Sequence, residues 1–243
     1  MIYVTGDRHG YPQSMGEEAL PGQIAWTDRD VLLIAGDFGF VFDGEQAGTG
    51  ETQVLDELAK RPYTIAFVDG NHENFDALVG YPMAQRYGGP VRLIRPNIYW
   101  LQRGYVYTIQ GKTFFTMGGA YSMDKDYRMA VLRATGRKCW FYQELPTDEE
   151  YRRAAKSLED AGYRVDYVLT HTAPASIIPR VIHRYPDPHD AELTGFLDWV
   201  YHEVQFTRWY FGHLHEDMVV NDQMVCCYEA VHTLEETKRT KDD

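Results

Sequence analysis

Short apolar runs that stop abruptly at polar residues punctuate the chain, and their spacing sets the elements it predicts. Residues 2–5, 31–35 and 65–68 read as buried strands, with a helical pattern over 52–60 before the last of them. Runs this apolar, separated by helical stretches, predict a mostly parallel sheet covered on both faces. Residues 74–79 continue as a short helix closed by Gly80 and Pro82. From Val91 the pattern changes to short strands with turn residues between them, at 91–94, 98–101, 105–109 and 113–117. Gln110-Gly111-Lys112 looks like a hairpin turn, and this half reads as antiparallel. Residues 118–143 show no clean period and read as a long excursion. Thr147, with Glu150 three residues on, then starts a helix running to about Ala161. A strand at 165–170, a helix at 191–203, a strand at 207–211 and a hairpin of 218–221 with 224–228 complete the pattern. The charged tail, 235–243, is expected to fray.

With 44% of its 243 residues hydrophobic, the chain can bury one sizeable core, so residues 1–243 are expected to form one domain with insertions. Its 24 basic and 36 acidic side chains leave a net charge of −12, which makes long nucleic acid an unfavourable partner. A small phosphate-bearing ligand held through metal is compatible with that charge. Met1-Ile2-Tyr3-Val4-Thr5 has neither the basic nor the long apolar region of a signal peptide. No apolar run approaches the roughly 18–20 residues of a membrane span, so no membrane partner is expected. Cys139, Cys226 and Cys227 are odd in number and lack zinc-type spacing, which points to a reducing, cytoplasmic setting. Adjacent in a strand, Cys226 and Cys227 should face opposite sides and serve packing.

Five of the apolar runs end in residues that bind metals. They are Val4-Thr5-Gly6-Asp7-Arg8-His9, Leu33-Ile34-Ala35-Gly36-Asp37, Val68-Asp69-Gly70-Asn71-His72, Val168-Leu169-Thr170-His171 and Tyr210-Phe211-Gly212-His213-Leu214-His215. In open α/β sheets the ligand crevice lies beyond the carboxyl ends of the strands, so all five should converge there. Four carry a glycine shortly before the first polar donor, which permits a sharp turn and close approach. The donors are Asp7, His9, Asp37, Asn71, His171, His213 and His215. One ion does not need two carboxylates, an amide and four imidazoles, whereas two ions with open positions can use them all. Nitrogen and oxygen donors without thiolate favour two divalent ions of Mn, Fe, Zn, Co or Ni.

The ordered series Asp7-x-His9, Gly36-Asp37, Gly70-Asn71-His72-Glu73, His171 and Gly212-His213-x-His215 resembles the calcineurin-like metallophosphoesterase superfamily along nearly the whole chain. Gly118-Gly119-Ala120-Tyr121-Ser122-Met123-Asp124-Lys125 and Gly70-Asn71-His72-Glu73-Asn74-Phe75-Asp76 are similar to its small stand-alone bacterial members. The resemblance implies an α/β/β/α sandwich of two mixed sheets flanked by helices. It implies that Asp7, His9, Asp37 and His215 hold one metal, that Asp37, Asn71, His171 and His213 hold the other, and that Asp37 bridges them. It implies hydrolysis of phosphate esters, with His72 as the catalytic histidine that is not a ligand.

The stretch 118–146 is expected to be an insertion over the site, and its cationic and aromatic residues make it a candidate lid. Lys125 and Arg128 are its candidate substrate contacts, and Arg8, between two ligands, is another. Asp69 is read as shaping the turn before Gly70, and Glu73 as capping the following helix. His183 and His189 fall in a Pro-rich loop, 180–190, that can border the crevice. A phosphodiester is slightly favoured over a monoester, because the excursion can accommodate two substituents. The alternatives are a nuclease acting on DNA or RNA and a non-catalytic interaction module on the same scaffold.

Overall fold

The computed structural model describes residues 1–42 and 50–234, and the predicted frayed tail lies outside them. The apolar runs become strands where the pattern put them. Strands β1 (Ile2–Thr5) and β2 (Val31–Ile34) precede helix α1 (Gly50–Ala59), β3 (Thr64–Phe67) and helix α2 (Phe75–Leu78). Three strands follow, β4 (Met83–Arg86), β5 (Gly89–Arg95) and β6 (Ile98–Leu101), then the hairpin of β7 (Tyr105–Ile109) and β8 (Lys112–Met117). Helices α3 (Lys125–Thr135) and α4 (Asp148–Asp160) lead to β9 (Tyr167–Thr170), and α5 (Ile178–Ile182) and α6 (Ala191–Glu203) lead to β10 (Arg208–Phe211). Strands β11 (Met218–Val219), β12 (Met224–Cys226) and β13 (His232–Thr233) complete the chain.

The strands form a seven-stranded sheet in the order β13-β1-β2-β3-β6-β5-β4 and a six-stranded sheet in the order β11-β12-β10-β9-β8-β7. Both are mixed. β1, β2, β3 and β6 run parallel, with antiparallel strands at the two edges. β8, β9, β10 and β12 run parallel in the other sheet. The antiparallel expectation for the middle of the chain holds for β5 with β6 and for β7 with β8. It stops there, because the long connections through α4 and through α5 and α6 allow parallel crossovers.

Alternation along the strands explains the four layers. Val4, Leu33 and Ala66 point between the sheets, where they meet Phe114, Tyr210 and Val225. Leu32, Ile34 and Phe67 point outward against Leu55 and Leu58 of α1. On the far side Phe115, Val168 and Trp209 pack under Leu158 of α4 and Leu197 of α6. Strands buried on both faces read as continuous apolar runs, which is why the sequence showed little alternation. Cys226 faces the outer layer and its neighbour Cys227 the space between the sheets, as a strand period of two demands. The result is an α/β fold of two mixed sheets flanked by helices. Among the described residues no helix is long and apolar enough to cross a membrane.

Helix α3 is one of the elements the pattern did not announce, with β4, α5 and β13. Its one buried residue is Arg128, so it has no apolar stripe to generate a period. Helix α4 starts as expected, with Thr147 and Glu150 forming a capping box.

Asp69 does more than shape a turn, which corrects the sequence expectation. Its Oδ2 accepts from Arg103 Nε at 2.8 Å and Nη2 at 2.5 Å, and its Oδ1 accepts from Trp100 Nε1 at 2.9 Å. Arg103 also donates to the carbonyls of Gln143 and Glu144, so this buried pair ties the edge of the first sheet to the segment before α4. Removing one partner of a buried ion pair leaves an uncompensated charge. Arg103→Met is therefore expected to cost about 3–5 kcal/mol in urea unfolding. Adding Asp69→Asn should recover part of that loss, and failure to do so would show that the charge is not its source.

Candidate metal centre

Parallel register brings the donor segments to one edge. Thr5 lies opposite Ile34, and Ile34 opposite Phe67, so the chain leaves β1, β2 and β3 at the same level with Asp7, Asp37 and Asn71 just beyond. In the second sheet Leu169 lies opposite Tyr210, which sets His171 beside Gly212 and His213. The two edges touch. Gly212 N donates to His171 O at 2.8 Å, His213 N donates to Asp7 Oδ1 at 3.1 Å, and His171 Nδ1 lies 2.8 Å from Ala35 O.

The approach is too close for side chains at the glycines. A Cβ on Gly36 would come within 2.0 Å of His171 Nδ1, and one on Gly70 within 2.0 Å of Asp37 Oδ1. Four of the seven donors, His9, Asp37, His213 and His215, have φ of 50°, 49°, 66° and 53°. Side chains rarely adopt this left-handed conformation, which costs about 1 kcal/mol or more per residue. A fold that accepts it four times at one rim is positioning those side chains for something other than stability.

The donors fall into two groups that share a carboxylate. In one, His215 Nε2 lies 3.1 Å from both Asp7 Oδ2 and His9 Nε2. The ligand atoms of Asp7, His9 and His215 all lie within 4.8 Å of one another. In the other, His171 Nε2 lies 3.1 Å from Asn71 Oδ1, and the His171 and His213 rings are 5.0 Å apart. Asp37 stands between them, Oδ2 3.7 Å from His9 Nδ1 and Oδ1 3.4 Å from His171 Nε2.

The protonation states suit a cation. Burial alone would raise the Asp37 pKa, but the imidazoles of His171, His72 and His9 and the His72 N–H outweigh it and hold this carboxyl well below the usual range. Burial pushes His213 down to about 3, which leaves a neutral ring with a free lone pair. Asp7 Oδ2 is buried and faces imidazole nitrogens, His215 Nε2 at 3.1 Å and His9 Nε2 at 3.9 Å, and its hydrogen bond and charge raise the His215 pKa. A buried carboxylate oxygen facing imidazole nitrogens is what a divalent metal would satisfy.

His72 sits at the mouth, its ring 4.8 Å from that of His9. Its ligand atom lies within 4.8 Å of those of His9 and Asp37, so geometry alone permits it to bind metal. Burial above all, together with the Arg128 guanidinium, lowers its pKa to about 4.

Three expected substrate contacts are placed elsewhere. Arg8 is buried, and its guanidinium donates to Gly6 O and Ser14 O at 3.1 Å, to Thr5 Oγ1 at 2.7 Å and to Tyr228 O. Its donors are consumed in tying loops together, so it does not reach for phosphate. Lys125 lies 4.2 Å over the Trp140 ring and does not line the cleft described below. Arg128 stands behind the site, donating to Asn71 O at 3.1 Å and, through Nη2, lying 2.6 Å from His72 Nε2. It orients the histidine.

Glu73 is also corrected. Buried, it accepts from Phe38 N at 2.8 Å and Gly39 N at 3.2 Å, which locks the Asp37 loop to the His72 loop. Asn74 is the helix cap, accepting from Ala77 N.

Sequence reasoning missed Ser122 and Glu144. Asn71 Nδ2 donates to Ser122 Oγ at 3.2 Å, and Ser122 Oγ to Glu144 Oε2 at 2.5 Å. This chain turns the Asn71 oxygen toward His171. Ser122 stood in the motif 118–125 without a role assigned to it, and Glu144 lies in no patterned stretch.

Two of the clefts that reach the centre share His72 and His215. One of about 590 Å³ is lined by Asn71, His72, His213 and His215 on one side and by residues of the segment 178–190 on the other. A second of about 640 Å³ is lined by His9, His72 and His215 with Phe40, Phe42 and Tyr228. The Pro-rich loop borders the crevice, and His183 lines it.

Two mixed sheets whose strand ends gather Asp, Asn and His around a shared carboxylate define a metallophosphoesterase domain. The chain belongs to the calcineurin-like phosphoesterase family, which it matches over residues 1–217. Metal-dependent hydrolysis of phosphoesters is the chemistry of that family, and the donor groups here fit its divalent ions. Among curated proteins none matches the chain.

Proposed function

We propose that the protein hydrolyses small phosphate esters with two divalent ions, and that it takes diesters in preference to monoesters. The observation that carries the reading is the division of the seven donors into two groups with Asp37 between them. Asp7, His9 and His215 would hold one ion, Asn71, His171 and His213 the other, and Asp37 both. Four imidazoles with carboxylate and amide oxygens suit Mn, Fe, Zn, Co or Ni. When bound, such a pair makes water nucleophilic at neutral pH and neutralises phosphoryl charge. The chain itself supplies the neutral His72 ring, which can donate a hydrogen bond to a phosphoryl oxygen.

The two clefts support the diester preference, since His72 and His215 line both and a phosphorus between them could send one substituent into each. The segment 118–146, which supplies Tyr121, Met123 and Asp124 to the first cleft, would be the wall or lid on that side. The net charge of −12 weighs against a nuclease of long polymers, and a gel assay with single- and double-stranded substrates distinguishes it. A non-catalytic module is disfavoured because every donor position is filled.

The test is reconstitution with each metal, elemental analysis, and rates on bis-4-nitrophenyl phosphate, 4-nitrophenyl phosphate and cyclic nucleotides. Two ions per chain and a higher kcat/KM on the diester are expected, with both lost on chelation. One ion per chain, or a preference for the monoester, would overturn the corresponding half of the proposal.

A further inference from the structure

The cleft on the side of the segment 178–190 carries two buried polar atoms without partners. Thr172 is 1% exposed and Asp190 5% exposed; both line the cleft, and neither Thr172 Oγ1 nor Asp190 Oδ1 has a hydrogen-bond partner. Each such atom costs stability, and two in one cleft call for a common explanation. The backbone around Asp190 is fixed independently, its N–H donating to Asp187 O and its carbonyl accepting from Thr194 Oγ1. The free oxygen is therefore not a by-product of a loose loop.

Part of the lining is apolar and aromatic. Ile178, Val181, Ile182 and Leu214 contribute to the wall. Tyr121 lines it too, its ring backed by that of His189 at 4.7 Å and 13°. Among the described lining residues only Arg184 bears a fixed positive charge, against Asp37, Asp124, Asp187, Asp190 and Glu216. That balance repels a second phosphate, and the apolar wall offers little to the many hydroxyls of a sugar. A flat, uncharged ring with donors and acceptors on its edge suits both the wall and the two free atoms. The cleft volume of about 590 Å³ lies within the range, roughly 300–1,000 Å³, that holds such groups.

We propose that this cleft is a subsite for a nucleobase-like ring on the phosphoester, with Thr172 and Asp190 reading its edge and Tyr121 bounding its face. The inference rests on the phosphoesterase reading above and names the class of its substrate. Burial pushes the Asp190 carboxyl up to about 6, in keeping with a group that exchanges hydrogen bonds with a neutral ring.

The experiment compares two diesters with the same leaving group, thymidine 5′-(4-nitrophenyl phosphate) and methyl 4-nitrophenyl phosphate, on the metal-reconstituted full chain. The thymidine ester is expected to be preferred by about 10²-fold in kcat/KM, because a site with buried polar groups rejects a substrate that leaves them unpaired. Thr172→Val and Asp190→Asn should each shrink that ratio by about tenfold, mainly through KM. The ratio is read because it cancels any general loss of metal or fold. A ratio near one in the unaltered protein, or one that neither variant changes, overturns the subsite. If neither ester is hydrolysed by protein shown to hold metal, the phosphoesterase reading fails. Calorimetric titration with thymidine alone then decides the subsite: saturable binding weakened in Asp190→Asn supports it, and no binding overturns it.

Discussion

Asp37→Ala is expected to release both metal ions and to lower kcat/KM by more than about 10³-fold, a larger loss than the 10–100-fold typical of residues that only support a ligand. The geometry gives the reason. Asp37 approaches both donor groups, Oδ2 toward His9 and Oδ1 toward His171 Nε2, the nitrogen that also faces Asn71, while Oδ1 also accepts the His72 N–H at 2.7 Å. Removing the carboxylate deletes a donor from each group and frees the loop that carries His72. Elemental analysis of the purified variant is the direct check, and two ions remaining per chain would end the bridging assignment. A second reading comes from heat. Metal that binds only the folded chain should raise the Tm of the unaltered protein, by an amount set by free metal and affinity. Asp37→Ala should show no such rise, and Asp37→Asn, which can keep the hydrogen bond to His72 but not the charge, should recover little of it.

The strands and the convergence of the candidate donors at one rim were legible in the sequence because both are written in short runs, while the two-sheet sandwich came from the family resemblance. Val4, Leu33, Ala66 and their neighbours had to be strands, and a glycine followed by Asp, Asn or His marked where each ended. Parallel register then did what a sequence cannot display, since the alignment of Thr5, Ile34 and Phe67 sets the donors at one level. What the pattern hid were charged groups turned inward. Arg128 gave α3 no apolar stripe, Arg103 and Asp69 lie far apart in the chain, and Glu73 looked like a helix cap because the two amides it holds belong to another loop. Arg8 misled for a related reason. Its neighbours are metal ligands, but adjacent residues beyond a strand end need not face the same way, and its donors are satisfied by carbonyls behind the site. A charge that stands out in a list of residues is as often spent on an internal partner as offered to a ligand.

His72→Ala should lower kcat by about 10²–10³-fold while two ions stay bound. The ring stands at the mouth of both clefts, where a phosphoryl oxygen would lie. Its role follows from its charge. With the pKa held near 4 by burial and Arg128, the imidazole is neutral at pH 7, and cations bound nearby would lower that value further. A neutral ring donates a hydrogen bond to developing charge more readily than it gives up a proton. The factor lost in His72→Ala should then be constant between about pH 6 and pH 9, where the ring does not change charge. A loss that grew toward low pH would instead make the protonated ring the working form. Arg128→Lys keeps a positive charge but not the paired reach to Asn71 O and His72, so it should reproduce part of the kcat defect with KM little changed. His72 also lies close enough to His9 and Asp37 to be a ligand itself, and metal analysis separates the two roles. If His72→Ala retains one ion where the unaltered chain has two, the histidine belongs to the metal shell and its hydrogen bond to substrate must be assigned elsewhere.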